Sequence, residues 1–210
     1  MCIRDRTKPD RYPVPNLQDF NLELEGAKVF TTIDIKRAYH QIPIAEDDIE
    51  KTAVITPFGL FEYVTMPFGL RNAAQTFQRF LDSLFRDLPH VYVYMDDILI
   101  TSHDKATHET LVRTVLGRLN DAGIIINVAK CQYVKEKVVF LGHEVNAEGV
   151  IPDQSRILAI LEYPLPTVVR DLRRFIGIVN FYRRAIPHVM ETQPKLPAII
   201  ETNKKMTARH

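Results

Sequence analysis

Two adjacent carboxylates, Asp96 and Asp97, stand between two runs of strand composition, Val91-Tyr-Val-Tyr-Met95 before them and Ile98-Leu-Ile-Thr101 after them. Each run has the length and the β-branched or aromatic content of a strand. With the two acids as turn-tolerant residues between them, the local reading is a tight β-hairpin. Asp takes positive φ less readily than Gly, so on conformation alone the pair is a poor hairpin turn. Two negative charges side by side at the end of buried strands cost free energy unless a cation compensates them. A solvated acidic turn is the ordinary reading of such a pair, but the apolar flanks on both sides argue against it here. Oxygen-only ligands select a hard divalent cation, Mg2+ or Mn2+.

The totals add bounds rather than direction. A chain of 210 residues fits one large domain or two small ones, and 46% hydrophobic with 25% charged residues is ordinary globular composition. The net charge of +1 argues neither for nor against a polyanionic partner. Cys2 and Cys131 are too few for a disulfide framework and fit no metal spacing. They read as reduced thiols, so the expected location is intracellular. The sequence has no apolar run of transmembrane length and no signal peptide, and no membrane partner is expected. Prolines cluster in residues 8–15 and 163–166, which read as segment boundaries.

Along the chain, residues 17–24 have helical apolar spacing, ended by Gly26. Residues 29–35 are a strand by composition, with Asp34 at its end, where it serves equally well as a helix N-cap or as a third carboxylate. Residues 53–56 and 61–65 read as two strands around the turn Pro57-Phe-Gly-Leu60. A helix follows, with Asn72 as N-cap, Gln75 three residues on, and Ala73, Ala74, Phe77, Phe80, Leu81, Leu84 and Phe85 on its buried face. After the hairpin, residues 105–122 form a second amphipathic helix through Leu111, Val112, Val115, Leu116 and Leu119, stopped by Gly123. Residues 124–126 are a short strand, and residues 138–141 and 144–146 a further hairpin around Gly142-His143. The order is strand, two-strand insert, helix, hairpin, helix, strand. That is an α+β, ferredoxin-like split βαβ pattern. It places the end of the first strand beside the turn of the central hairpin, so three carboxylates meet at one sheet edge, as a two-metal phosphoryl-transfer site requires. The tail, residues 167–187, is a basic helix. Arg170, Arg173, Arg174, Arg183 and Arg184 face only Asp171 as an acid, which suits a solvated face or a nucleic-acid backbone.

Five stretches in order resemble the motifs of a reverse transcriptase: Phe30-Thr-Thr-Ile-Asp-Ile-Lys-Arg-Ala-Tyr-His-Gln-Ile42, Met66-Pro-Phe-Gly-Leu-Arg-Asn-Ala-Ala-Gln-Thr-Phe-Gln78, Tyr94-Met-Asp-Asp97, Gly123 with Asn127 and Lys130-Cys131, and Phe140-Leu-Gly-His143. Arg11-Tyr-Pro-Val-Pro15 and Arg174-Phe with Gly177 and Asn180-Phe-Tyr-Arg-Arg184 resemble a gypsy-type long-terminal-repeat retrotransposon in particular. The resemblance implies the palm of a right-hand polymerase with partial fingers and a helical thumb start. Its lead-in would be residues 1–28, its palm residues 29–137 with a fingers insert near 45–65, its primer-grip hairpin residues 138–150 and its thumb residues 151–190. Residues 191–210 match nothing.

The resemblance further implies RNA-directed DNA synthesis: a primer 3′-hydroxyl attacks the α-phosphate of a deoxynucleotide. Asp34, Asp96 and Asp97, with the Ile35 carbonyl, would hold two Mg2+, with Mn2+ as the alternative. Backbone amides of Arg37 and Ala38 would meet the triphosphate. Tyr39 would exclude a 2′-hydroxyl and Phe68 would press on the nucleotide. Lys130 would protonate pyrophosphate, although on chemistry alone it reads equally as a surface lysine. Leu141 and Gly142 would grip the primer end, and Arg173, Gly177 and Phe181 would track the minor groove. The implied partners are an RNA or DNA template with a DNA primer and deoxynucleoside triphosphates. Ribonuclease H and integrase regions would belong to the parent polyprotein. The family's strand-rich fingers segment has no counterpart in residues 1–7, so the chain reads as a fragment, expected to be nearly inactive alone. Two other classes stand beside this reading: a non-catalytic nucleic-acid-binding relic and a plain interaction module.

Overall fold

The computed structural model describes residues 7–15, 24, 26–152, 154–164, 166 and 168–181. The helix expected at residues 17–24 lies, but for Leu24, outside them, as do Arg183 and Arg184. The architecture is α+β, and two compact units divide the chain, one of residues 1–141 with 145–150 and the other of residues 142–144 with 151–210.

The first unit is built on a four-stranded sheet in the order β4-β5-β1-β6. Its strands are β1 (Val29–Asp34), β4 (Val91–Tyr94), β5 (Asp97–Ser102) and β6 (Gln132–Lys135), and each neighbour whose pairing is resolved runs antiparallel. Between β1 and β4 come the short helix α1 (Glu46–Ile49), the hairpin strands β2 (Val54–Thr56) and β3 (Gly59–Phe61), and the helix α2 (Ala73–Phe85). Helix α3 (Lys105–Asp121) joins β5 to β6.

Strand alternation gives this sheet two apolar faces. On one, Ile33, Ile98 and Ile100 pack with Phe77, Leu81 and Phe85 of α2 and Val112, Val115 and Leu119 of α3. On the other, Phe30, Tyr92 and Leu99 pack with Val138, Phe140 and Val145. Those last three come from β7 (Val138–Phe140) and β8 (His143–Asn146), which with β9 (Gly149–Pro152) form a three-stranded sheet. The aromatic stripe of α2 is therefore core.

Several local expectations are corrected. The turn of the central hairpin is Met95-Asp96, not Asp96-Asp97: Tyr94 pairs with Asp97, and the positive φ of 49° falls on Met95. A two-residue loop needs positive φ at its first position, and the strand pairing forces Met95 to supply it. Asn72 precedes α2, but its side chain donates to Lys8 O and accepts from Asp10 N instead of capping the helix, and Gln75 Oε1 finds no hydrogen-bond partner among the described residues. Among the described residues, residues 124–126 make one isolated bridge, Ile126 to Ile35, and no strand; the sheet edge is β6, whose alternation is too weak to read. The β2–β3 turn is Pro57-Phe58, with Thr56 paired to Gly59, and residues beyond Phe61 leave the strand. Ile55 and Phe58 on this hairpin are about nine-tenths exposed (88% and 90%).

The second unit contains α4 (Gln154–Leu161) and α5 (Val169–Phe181), separated by the proline-containing segment the sequence marks as a boundary. Leu172, Phe175 and Ile176 are half-buried, and the Phe175 ring meets Tyr163 at 5.3 Å.

Candidate active site

The end of β1 and the start of β5 are directly paired, Asp34 with Asp97. Direct antiparallel partners leave the sheet on the same face with close Cβ atoms. Asp96 stands in the adjoining turn, and its carbonyl accepts from Ile35 N at 2.8 Å. Asn127 N donates to the Asp34 carbonyl at 2.8 Å, which pins the strand end from the other side. The pairing of β1 with β5 thus brings together three acids from two distant parts of the sequence.

Their electrostatics follow from this placement. Burial pushes the Asp96 carboxyl above its ordinary range, and Asp34 adds to the push. Burial does the same to Asp97, with Asp34 and Asp96 adding to it. Lys130 works in the opposite direction on both; its Nζ lies 3.5 Å from Asp34 Oδ2. Among the described residues no three His, Cys, Asp or Glu side chains are gathered closely enough to hold a metal as they stand. The donor set nevertheless fits a hard cation. It is all carboxylate, its charges repel one another, and among the described residues one exposed lysine offsets three acids.

Around the acids the chain forms an aromatic corner. Arg37 takes a left-handed conformation (φ 52°) and turns β1 into a short 3-10 helix, Ala38–Gln41, with Ala38 buried. The Tyr39 hydroxyl lies 3.5 Å from Met95 Sδ. Its ring meets Phe68 and Phe77 edge-on at 5.5 and 5.7 Å, and burial raises the hydroxyl's pKa, with Asp96 adding to the shift. Phe68 is largely exposed and also touches the His40 ring at 5.1 Å. Gln41 bridges to Ile125, donating to its carbonyl and accepting from its N–H, so this corner is tied to the segment that carries Lys130.

The other expected site residues are not part of this cluster. Leu141 and Gly142 form the β7–β8 turn, both at positive φ (50° and 79°). Positive φ at both loop residues is a type I′ arrangement, which suits Gly142 and strains Leu141. In the second unit Arg173 and Gly177 are exposed one turn apart on α5. Phe181 ends that helix, and its side chain lies outside the described residues.

Sequence reasoning missed Gln78. It is fully buried, accepts from Met95 N at 2.9 Å and donates to the Val93 carbonyl at 3.0 Å, bracing the acidic turn from behind. A signal was present: a polar residue on the apolar face of a helix, four residues after Ala74 and beside Phe77.

The family model described as reverse transcriptase (RNA-dependent DNA polymerase) matches residues 2–145. The chain is 37% identical over 206 residues to the Retrovirus-related Pol polyprotein from transposon 297 of Drosophila melanogaster, covering 97% of this chain and 20% of that protein. It is 37% identical over 210 residues to the corresponding polyprotein from transposon gypsy of the same organism, covering 99% of this chain and 20% of that protein. The chain therefore spans about a fifth of the length of these relatives. A solved structure of the foamy viral protease-reverse transcriptase dRH in complex with ds DNA has the same fold, with a TM-score of 0.90 and 22% identity, covering 95% of this chain and 35% of that one. Together, the matched domain and the two transposon relatives establish that this chain belongs to the reverse transcriptase family.

Proposed function

We propose that the chain is the catalytic core of an RNA-directed DNA polymerase of gypsy-type retrotransposon character. It would add deoxynucleotides to a primer 3′-hydroxyl on an RNA or DNA template. The observation that carries this is the register pair Asp34–Asp97 with Asp96 in the adjoining turn, within the segment the family model covers. On this reading residues 29–137 are a ferredoxin-like palm, residues 45–65 a fingers insert, residues 1–28 lead-in, residues 138–150 a primer grip and residues 151–190 the start of a thumb.

Asp34, Asp96 and Asp97, with the Ile35 carbonyl, hold two Mg2+, or Mn2+ in their place. When bound, the ions lower the cost of the attacking alkoxide and of charge on the leaving pyrophosphate. The chain's own residues do the positioning. Backbone amides at Arg37 and Ala38 meet the triphosphate where the left-handed turn ends the strand. Tyr39, held edge-on between Phe68 and Phe77, fills the space a ribose 2′-hydroxyl needs. Phe68 covers the nucleotide from its exposed turn. Lys130, released from Asp34, carries a proton toward the pyrophosphate. Leu141 and Gly142 hold the primer end, and Arg173, Gly177 and Phe181 track the minor groove of the duplex.

The test is Mg2+-dependent extension of a DNA primer on an RNA template by a complete polymerase containing residues 1–210, with Asp96→Asn as the control. Extension by the parent and its loss in the variant are expected. Primer–template binding without extension by the parent would instead identify a non-catalytic relic.

A further inference from the structure

Gln78 holds the Met95 N–H, and the groups behind Gln78 extend the contact along helix α2 to the lead-in stretch of residues 8–15. Its Nε2 donates to Asp82 Oδ1 at 2.9 Å as well as to the Val93 carbonyl. The other oxygen of Asp82 accepts from the Tyr12 hydroxyl at 2.6 Å. Tyr12 belongs to the lead-in stretch of residues 8–15, and Arg86 donates to its hydroxyl at 3.4 Å. The Arg79 guanidinium lies over the Tyr12 ring, 4.7 Å from its centroid, and pairs with Asp10. Asn72 clasps the same stretch through Lys8 O and Asp10 N.

Every direction in this chain is forced. A guanidinium only donates, so the Tyr12 hydroxyl accepts from Arg86 and gives its own proton to Asp82. A carboxylate only accepts, so Asp82 takes one proton from Tyr12 and one from the Gln78 amide. Val93 and Met95 alone would fix which way that amide faces. Asp82 adds a charge-assisted anchor that keeps it there. Met95 needs such an anchor because its positive φ is unfavourable for a side-chain-bearing residue.

We propose that Asp82, held by Tyr12 of the lead-in stretch, is a positioning residue for the acidic turn, acting through Gln78 on Met95 and hence on Asp96. The lead-in stretch is then part of the site's alignment rather than a mere connection. The role in turnover rests on the polymerase reading; the alignment of the turn does not.

Amide hydrogen exchange in the 210-residue chain tests the alignment without substrate or metal. Asp82→Ala keeps a good helix former on α2. It should speed exchange of the Met95 amide about tenfold relative to amides in the middle of β5, which serve as the internal reference. Tyr12→Phe should speed it about threefold, and the double variant should match Asp82→Ala alone, because Tyr12 acts through Asp82. An unchanged Met95 rate in Asp82→Ala, equal acceleration throughout β5, or additive effects in the double variant would each overturn the proposal. In the complete polymerase, Asp82→Ala should lower kcat with the deoxynucleotide KM unchanged. A change confined to KM would contradict it. Should the parent enzyme fail to extend at all, the polymerase reading falls, while the exchange result still decides the alignment.

Discussion

One pair of strands, β1 and β5, carries a polar cluster at each end, and the two clusters are treated oppositely. At one end Thr31, Ser102 and His108 are all buried. Ser102 gives its hydroxyl proton to the Thr101 carbonyl at 2.6 Å. The closed arrangement then has His108 Nδ1 donating to Ser102 at 3.0 Å and Nε2 accepting from Thr31 at 2.7 Å. Thr31 in turn accepts from Val134 N at 3.1 Å. Burial holds the His108 imidazole below its ordinary pKa, so it is neutral. At the other end Asp34 faces Asp97 across the same ladder, with Asp96 in the next turn, and among the described residues Lys130 is the cation that offsets them. A polar cluster that serves the fold is neutral and saturated. One that serves a ligand is left with unspent charge.

The largest effect that would break this contrast is on activity. In a complete polymerase, Asp34→Asn should lower primer extension at least about a hundredfold. His108→Gln should leave it within an order of magnitude. Equal losses would erase the distinction between the two ends.

The next effect is on stability, with His108 as the sensitive residue. His108→Ala removes a ring at 0% exposure and strands the Thr31 and Ser102 hydroxyls. Chemical denaturation should show a loss of about 3 kcal/mol. A loss below about 1 kcal/mol would mean the cluster is filled by water or repacks.

The smallest effect is on pH dependence. A histidine whose folded pKa lies below its unfolded value takes up protons first in the unfolded chain. Its contribution is complete above about pH 6.5 and is lost as the pH falls from there toward the depressed folded value. The parent chain should therefore lose stability from about pH 6.5 downward. In His108→Gln that part of the slope should disappear. An unchanged slope in the variant would assign the titration elsewhere.

How much of this is legible in the sequence depends on what each feature needs. Asp96, Asp97 and Asp34 could be placed because charge at a strand end is conspicuous against apolar flanks. The α2 and α3 faces follow from periodicity, and Phe77, Leu81, Val115 and Leu119 are buried as expected. The turn falls one residue earlier than the sequence suggests because nothing in methionine announces positive φ; the register of β4 on β5 imposes it. Asn72 has the right type and place for a cap, yet tertiary partners on Lys8 and Asp10 claim its side chain. His108 and Gln78 are single polar residues on apolar helix faces, and their partners, Thr31 and Met95, lie on other elements. No local pattern encodes such pairs.

Folding leaves the acidic edge of Asp34, Asp96 and Asp97 short of positive charge among the described residues. Thermal melting of the 210-residue chain and of its Asp96→Asn variant, each with and without Mg2+, tests it directly. Asp96 is pushed above its ordinary pKa by burial and by Asp34, so near neutral pH its ionisation opposes folding. Without metal the variant should melt above the parent. Added Mg2+ should stabilise the parent, by about 2.7 kcal/mol once the ion is roughly a hundredfold above its Kd, and should do far less for the variant. A variant that melts below the parent in the absence of metal, or a parent indifferent to Mg2+, would contradict the account.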